Sequence, residues 1–111
     1  MGVSELRDKI NKKFGVNIMF NPSDNLGIVS VPRFSSGSLM LDFDLGGGWP
    51  ERKIIEVMGP ESSGKSALLY KAIATVTNRA KNNKAVLLDE EGSYDNEWAK
   101  QIGIKIENLE V

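Results

Sequence analysis

The sequence predicts an α/β fold: an N-terminal helix followed by the opening part of a parallel sheet whose core is incomplete. Three observations carry this reading. Val3, Leu6, Ile10 and Phe14 recur at spacings of three and four, the signature of a one-sided helix. Further along, a β-branched run, a glycine-bearing turn, a long amphipathic stretch and a short apolar run follow one another directly. That order is the grammar of a βαβ unit, so the two strands are expected to pair in parallel or to share one parallel sheet. The 111 residues end soon after a third strand-like stretch begins. Parallel sheets are covered by helices on both faces, so the sheet is expected to be cut midway.

Each element has its own local reason. Ser4 is placed to cap the first helix, Val3 to Phe14, and Gly15 to end it. Lys9, Lys12 and Lys13 fall on the opposite side, read as a solvated face. Residues 21–37 are rich in Pro, Ser, Asn and Gly and read as loop. The chain is accordingly divided into a helix and linker at 1–34 and a core at 35–111. Ser36-Gly37-Ser38 opens a short helix, Leu39 to Leu45, which Gly46-Gly47-Gly48 closes, because a three-glycine run suits a turn better than an element interior. Lys53 to Met58 reads as a strand, and Gly59 to Gly64 as the turn after it. A helix from Lys65 to about Lys81 follows, with Leu68, Leu69, Ala72, Ile73, Val76 and Ala80 as its apolar side. Asn82-Asn83 turns the chain into the apolar strand Ala85 to Leu88. Asp95 can cap a short helix through Gln101, with Gly103 at its end, before the strand-like Ile104 to Val111.

Composition narrows the chemistry. Apolar residues at 41% and charged ones at 26% match a globular chain and argue against a disordered or collagen-like one. A formal net charge of −1 argues against a self-contained nucleic-acid binder, which would carry a basic excess. No apolar run approaches the roughly 20 residues of a membrane span, and the first residues lack the apolar core of a secretory signal. A cytoplasmic location is the default. Cysteine and histidine are both absent, which removes disulfides, thiol chemistry, classical zinc sites and histidine catalysis. Carboxylates, lysine, hydroxyls and backbone amides remain.

The strongest chemical signal is Gly59-Pro60-Glu61-Ser62-Ser63-Gly64-Lys65-Ser66, a complete G-x-x-x-x-G-K-[ST] pattern. Gly59 and Gly64 let the main chain curl so that successive N–H groups point inward at phosphate oxygens. The helix that follows presents its electropositive N-terminus to the same anion. Lys65 is placed to reach the β- and γ-phosphates, and the Ser66 hydroxyl to bind magnesium. ATP with Mg2+ is the expected ligand pair.

Asp89-Glu90-Glu91 lies at the carboxyl end of the next strand, where open α/β sheets bind ligands. One of these carboxylates could orient a water toward the γ-phosphate; equally, the cluster could be a solvated turn capping the next helix. Asp95 and Trp98 follow. An indole can stack on a purine and a carboxylate can accept from its exocyclic amine, although a helix tryptophan is often simply core.

Together these residues resemble the RecA-type recombinases, including their bacteriophage relatives. The loop Gly59 to Ser66 is similar to that family's own version. Upstream, Ser36-Gly37-Ser38-Leu39, Leu41-Asp42 and the glycine run before Pro50 resemble its approach to the first core strand. Downstream, Asp89-Glu90-Glu91 resembles its Asp-x-Glu, and Gly103 with Glu107-Asn108-Leu109 its next turn. The likeness runs from about residue 5 to the end and is dense from Ser35 onward.

The resemblance implies the first part of a RecA-like P-loop NTPase sheet, which breaks off before its second magnesium-site strand. It implies DNA-dependent ATP hydrolysis, single-stranded DNA binding and strand exchange on a filament in a bacterial or phage-infected cell. Residue by residue, Gly59, Pro60, Glu61, Ser62, Ser63, Gly64, Lys65 and Ser66 would hold the nucleotide, with Ser66 on magnesium. Lys65 and Glu91 would be catalytic, and Asp89 would be the strand partner of Glu91. Asp95 and Trp98 would contact adenine, with Trp98 in place of a tyrosine. The helix Ser4 to Phe14 would pack on a neighbouring subunit, or on its own chain. Glu90 stands where the family often has a small residue, so the catalytic carboxylate is Glu91 or Glu90. Arg52-Lys53 departs from a Gly-Arg pair. The DNA-binding loops of the family have no counterpart in these residues, so single-stranded DNA would be met elsewhere. Two other readings stand beside this one: a non-catalytic module that docks on full-length recombinase subunits, and another RecA-fold ATPase such as a helicase.

Overall fold

The computed structural model describes residues 1–23 and 30–111, so part of the loop expected over 21–37 lies outside the described residues. The described chain divides into two units, Met1–Val31 and Pro32–Val111.

In the first unit, helix α1 (Val3–Phe14) forms where the apolar spacing places it. Its N-cap is Gly2, with no side-chain cap, in place of the expected Ser4. The Gly2 carbonyl already accepts from Leu6 N–H at 3.0 Å. Ser4 therefore lies inside the first turn, two residues past the capping position. Gly15 ends the helix, its N–H donating to the Asn11 carbonyl at 2.9 Å. Asn11 also clamps the chain that follows: its Nδ2 donates to the Met19 carbonyl at 2.7 Å and its Oδ1 accepts Met19 N–H at 2.9 Å. Val3 and Phe14 remain exposed, and Leu6 largely so.

The second unit opens with an antiparallel pair, β1 (Arg33–Phe34) and β2 (Trp49–Pro50), in the register Arg33 to Pro50 and Phe34 to Trp49. Helix α2 (Leu39–Asp44) lies between them, capped by Ser38, whose side chain accepts from Leu41 N–H. Ser36 is fully buried, and Asp42 gathers the turn before the helix. The Asp42 carboxylate accepts from Ser36 N–H at 2.7 Å, the Ser36 hydroxyl at 2.5 Å and the Ser35 hydroxyl at 2.6 Å. The glycine run brings the chain back to β1. At Gly48 (φ 105°) a side chain would collide with the Phe34 carbonyl oxygen, so this hairpin closes only with glycine there.

Helix α3 (Lys65–Arg79) is the centre of the unit. Its buried face is Tyr70, Ile73, Ala74 and Thr77, an i, i+3, i+4, i+7 stripe. This corrects the expected apolar side: of that set Ile73 is buried, while Leu69 is half exposed. Leu68, Leu69 and Ala72 instead line a groove of about 370 Å³ with Phe34, Trp49, Ile55 and Val57. The helix is apolar on two sides, and a single-stripe reading merges them. The packed side meets Leu87, Ala99 and Ile104. At its C-terminal end, Thr77 Oγ1 donates to the Ile73 carbonyl at 2.9 Å and accepts from Lys105 N–H at 3.3 Å. Asn78 Nδ2 donates to the Gly103 carbonyl at 2.7 Å.

The strand expected over Lys53 to Met58 is not formed; the segment pairs with no strand among the described residues, and Ile54 and Met58 are exposed. The parallel pairing appears one step later, between β3 (Ala85–Val86) and β4 (Leu109–Glu110), in the register Ala85 to Leu109 and Val86 to Glu110. Leu87 N–H extends the ladder to the Glu110 carbonyl at 2.8 Å. The crossover is helix α4 (Asn96–Ile102), capped by Asp95 and ended at Gly103, followed by a 3-10 turn at Ile106–Asn108. Neighbours in a parallel sheet need not be neighbours in sequence, which is why a run can be strand-like and still lack a partner. The fold is thus mixed α/β: an N-terminal helix in the first unit, and in the second a short antiparallel pair and a short parallel pair beside helices α2 to α4. Among the described residues no helix is long and apolar enough to cross a membrane.

Candidate nucleotide site

The turn Gly59 to Gly64 delivers the chain onto the first residue of α3. Two of its residues take the left-handed region, Ser62 (φ 56°) and Gly64 (φ 90°). Gly64 is the N-cap of α3, and its carbonyl accepts Leu68 N–H at 2.9 Å, so the helix begins at the turn itself. At Gly59 an added methyl would sit 2.9 Å from the Ser63 hydroxyl, so the two ends of the turn approach closely.

Lys65 folds back over this turn. Its Nζ donates to the Gly59 carbonyl at 2.8 Å and to the Pro60 carbonyl at 2.6 Å. The ammonium is held at the mouth of the loop by acceptors that the loop itself supplies. Glu61, Ser62, Ser63 and Ser66 are exposed around it. A triphosphate fits this set: a cation, the free N–H groups of a helix's first turn, and an outward hydroxyl. Magnesium fits at the exposed Ser66 oxygen, a hard oxygen donor of the kind that ion takes alongside phosphate oxygens; bound there, it would neutralise phosphate charge.

A second cleft, of about 380 Å³, joins Ser66, Leu69 and Tyr70 of α3 to Leu87, Leu88, Asp89, Glu90, Glu91 and Ser93. The acidic cluster and Ser66 therefore line one space. The three carboxylates differ in their engagements. Asp89 Oδ2 accepts Tyr94 N–H at 2.7 Å, with the Ser93 hydroxyl 3.5 Å from Oδ1, which ties the turn from 89 to 94. Glu90 and Glu91 are exposed and show no hydrogen bond or ion pair among the described residues.

Asp95 and Trp98 do not line that cleft. Asp95 Oδ1 accepts Trp98 N–H at 2.7 Å, the capping bond of α4. Trp98 is 36% exposed as a residue, and its ring leans on Tyr70, with centroids 4.5 Å apart at 50°. Tyr70 in turn lies nearly parallel to Tyr94 at 6.3 Å. Burial raises the Tyr70 phenol above its usual range, against a hydrogen bond from the Asp95 main chain. No motif marks Tyr70. The available signal was its spacing of four from Ser66, which puts both on one helix face.

The family model for the RecA N-terminal domain matches residues 3–111. The chain belongs to the RecA family. Among relatives of this RecA-family chain is the DNA repair protein recA homolog 1, chloroplastic, of Arabidopsis thaliana. It is 42% identical over 100 residues, covering 90% of this chain and 22% of that protein. Protein RecA of Acinetobacter baumannii is 39% identical over 102 residues, 91% of this chain and 28% of the relative. Protein RecA of Chloroherpeton thalassium is 38% identical over 103 residues, 92% and 28%. The chain therefore spans between 22% and 28% of the length of these relatives. It corresponds to the N-terminal portion of a RecA-type recombinase.

Proposed function

We propose that this RecA-family chain binds ATP with magnesium through Gly59 to Ser66, as the nucleotide-gripping portion of a recombinase. The observation that supports this most directly is the Lys65 ammonium held by the Gly59 and Pro60 carbonyls at the start of α3. Phosphate oxygens are stronger acceptors than neutral carbonyls, so a triphosphate can take that cation over. Ser66 then binds the magnesium. Glu91, with Glu90 as its rival, orients water in the shared cleft, while Asp89 holds the turn that presents them. Asp95 and Trp98 meet the adenine. The complete recombinase binds single-stranded DNA, hydrolyses ATP in a DNA-dependent manner and drives pairing and strand exchange in DNA repair, in a bacterial or phage-infected cytoplasm.

Hydrolysis by these 111 residues alone is expected to be slow. Phosphoryl transfer depends on several charges placed around the transition state, and this site presents one lysine and two uncommitted carboxylates. Phosphate release should stay well below about 1 per second, with or without single-stranded DNA; turnover in the ordinary enzymatic range would refute the reading.

A second reading has its own support. Val3, Leu6 and Phe14 leave an apolar stripe on α1 uncovered. That stripe suits packing on a neighbouring recombinase subunit, so the chain could also dock on full-length subunits without catalysis. Pull-down with a full-length recombinase should retain the chain and lose it on Leu6→Glu; no association, with or without ATP, disposes of this second reading.

A further inference from the structure

We propose that Tyr70 is a positioning residue of the nucleotide site, holding the Trp98 indole so that one ring face stays open to a purine base. The inference rests on the ATP-binding reading above. Three rings arrive from three places: Tyr70 from α3, Tyr94 from the turn that Asp89 ties, and Trp98 from the first turn of α4. Tyr70 is the middle one, touching Trp98 at 4.5 Å and Tyr94 at 6.3 Å. It is also the one of the three that lines the cleft with Ser66 and the acidic cluster.

The geometry links the two ends of a nucleotide. Ser66 and Tyr70 are four residues apart on α3, hence on one face and about 6 Å apart along the axis. The ring that supports the indole is thus carried by the same rigid helix that starts at the phosphate loop. Tyr70 is 5% exposed and Trp98 36%. The first is fixed and the second keeps an accessible surface, the division of labour that a stacking platform needs. Tyr94 backs the stack: its N–H is held by Asp89 and its hydroxyl donates to Asn96 Oδ1 at 3.0 Å. Without the Tyr70 ring, the indole would be free to turn, and base stacking would have to order it on binding.

The test compares two ligands, Mg-ATP and Mg-tripolyphosphate, by titration calorimetry on the chain, Tyr70→Phe and Tyr70→Leu. The proposal expects Tyr70→Leu to bind ATP about three- to tenfold more weakly, the range of one aromatic pair. Tripolyphosphate binding should be unchanged, and Tyr70→Phe should restore ATP binding. Equal losses for both ligands, or no loss for either, overturn the proposal and leave the ATP-binding reading standing. If the folded, unaltered chain binds neither ligand, that reading fails and takes this one with it. Should Tyr70→Leu unfold, proton NMR on the unaltered chain decides. ATP should shift both the Tyr70 ring and Trp98 indole signals, and tripolyphosphate should leave the indole unmoved. A Tyr70 ring indifferent to ATP while the indole shifts overturns the proposal.

Discussion

At the scale of single residues, the same side chains serve structure and candidate chemistry, and substitutions can separate the two. Asp42 is the clearest structural case. Hydrogen bonds from the Ser35 hydroxyl, then from the Ser36 hydroxyl and N–H, hold its carboxyl below the ordinary value of 3.8. The folded chain therefore binds the proton less readily than the unfolded one. The stability Asp42 contributes is fully present above about pH 4 and lost as pH falls through the lowered folded value. Acid titration followed by circular dichroism should show Asp42→Asn with a flatter loss of stability below pH 4 than the parent; an unchanged slope would contradict this role. Gly64 makes the opposite kind of demand, on backbone rather than charge. Gly64→Ala forces a Cβ into the left-handed region and should cost about 1–2 kcal/mol in denaturant unfolding, with nucleotide binding weakened as the turn relaxes. The phosphate loop was legible in the sequence because each of its residue types answers a separate physical need. Tyr70 was not, since a tyrosine inside a helix belongs to no motif and its partners come from two other segments.

At the scale of elements, local signals served helices well and strands poorly. A helix carries its own hydrogen bonds, so spacing and caps suffice: Gly15, Ser38, Asp95 and Gly103 all stand at helix ends. A strand needs a partner, and the run Lys53 to Met58 has a strand's composition with no ladder among the described residues. The parallel pair falls to Ala85–Val86 and Leu109–Glu110, joined across α4. The cap of that crossover helix offers a direct check. Asp95, which the family resemblance places at adenine, accepts Trp98 N–H with its carboxylate. Without nucleotide, Asp95→Ala should lower stability by about 1 kcal/mol, the usual worth of an N-cap. Asp95→Asn and Asp95→Ser should recover most of it, because both can cap. Failure of either to recover stability would show that the charge, and not the cap, matters.

At the scale of the whole molecule, the second unit has one packed core and a second apolar surface left open. Tyr70, Ile73, Ala74, Leu87, Ala99 and Ile104 close one side of α3. On the other, Phe34, Trp49, Ile55 and Val57 line a groove, and the buried Trp49 Nε1 has no hydrogen-bond partner among the described residues. Ile54, Met58 and Leu88 stand in solvent. Unpaired strand-like segments with exposed apolar residues promote association. The chain should therefore self-associate as its concentration rises, and Ile54→Lys with Met58→Lys should suppress this in light scattering without altering the helical signal. A parent chain that stays monodisperse throughout would contradict that expectation.

The turn from Gly59 to Ser66, with Lys65 at its mouth, is proposed to grip a triphosphate. Equilibrium dialysis of radiolabelled ATP with magnesium, against the chain and Lys65→Ala, tests it most directly. Saturable one-to-one binding is predicted for the chain, weakened at least about tenfold in the variant, because hydrogen bonds to charged groups contribute about 1.5–3 kcal/mol. Circular dichroism of the two should match. Equal affinities in both proteins, or no binding to the folded chain, would contradict the claim.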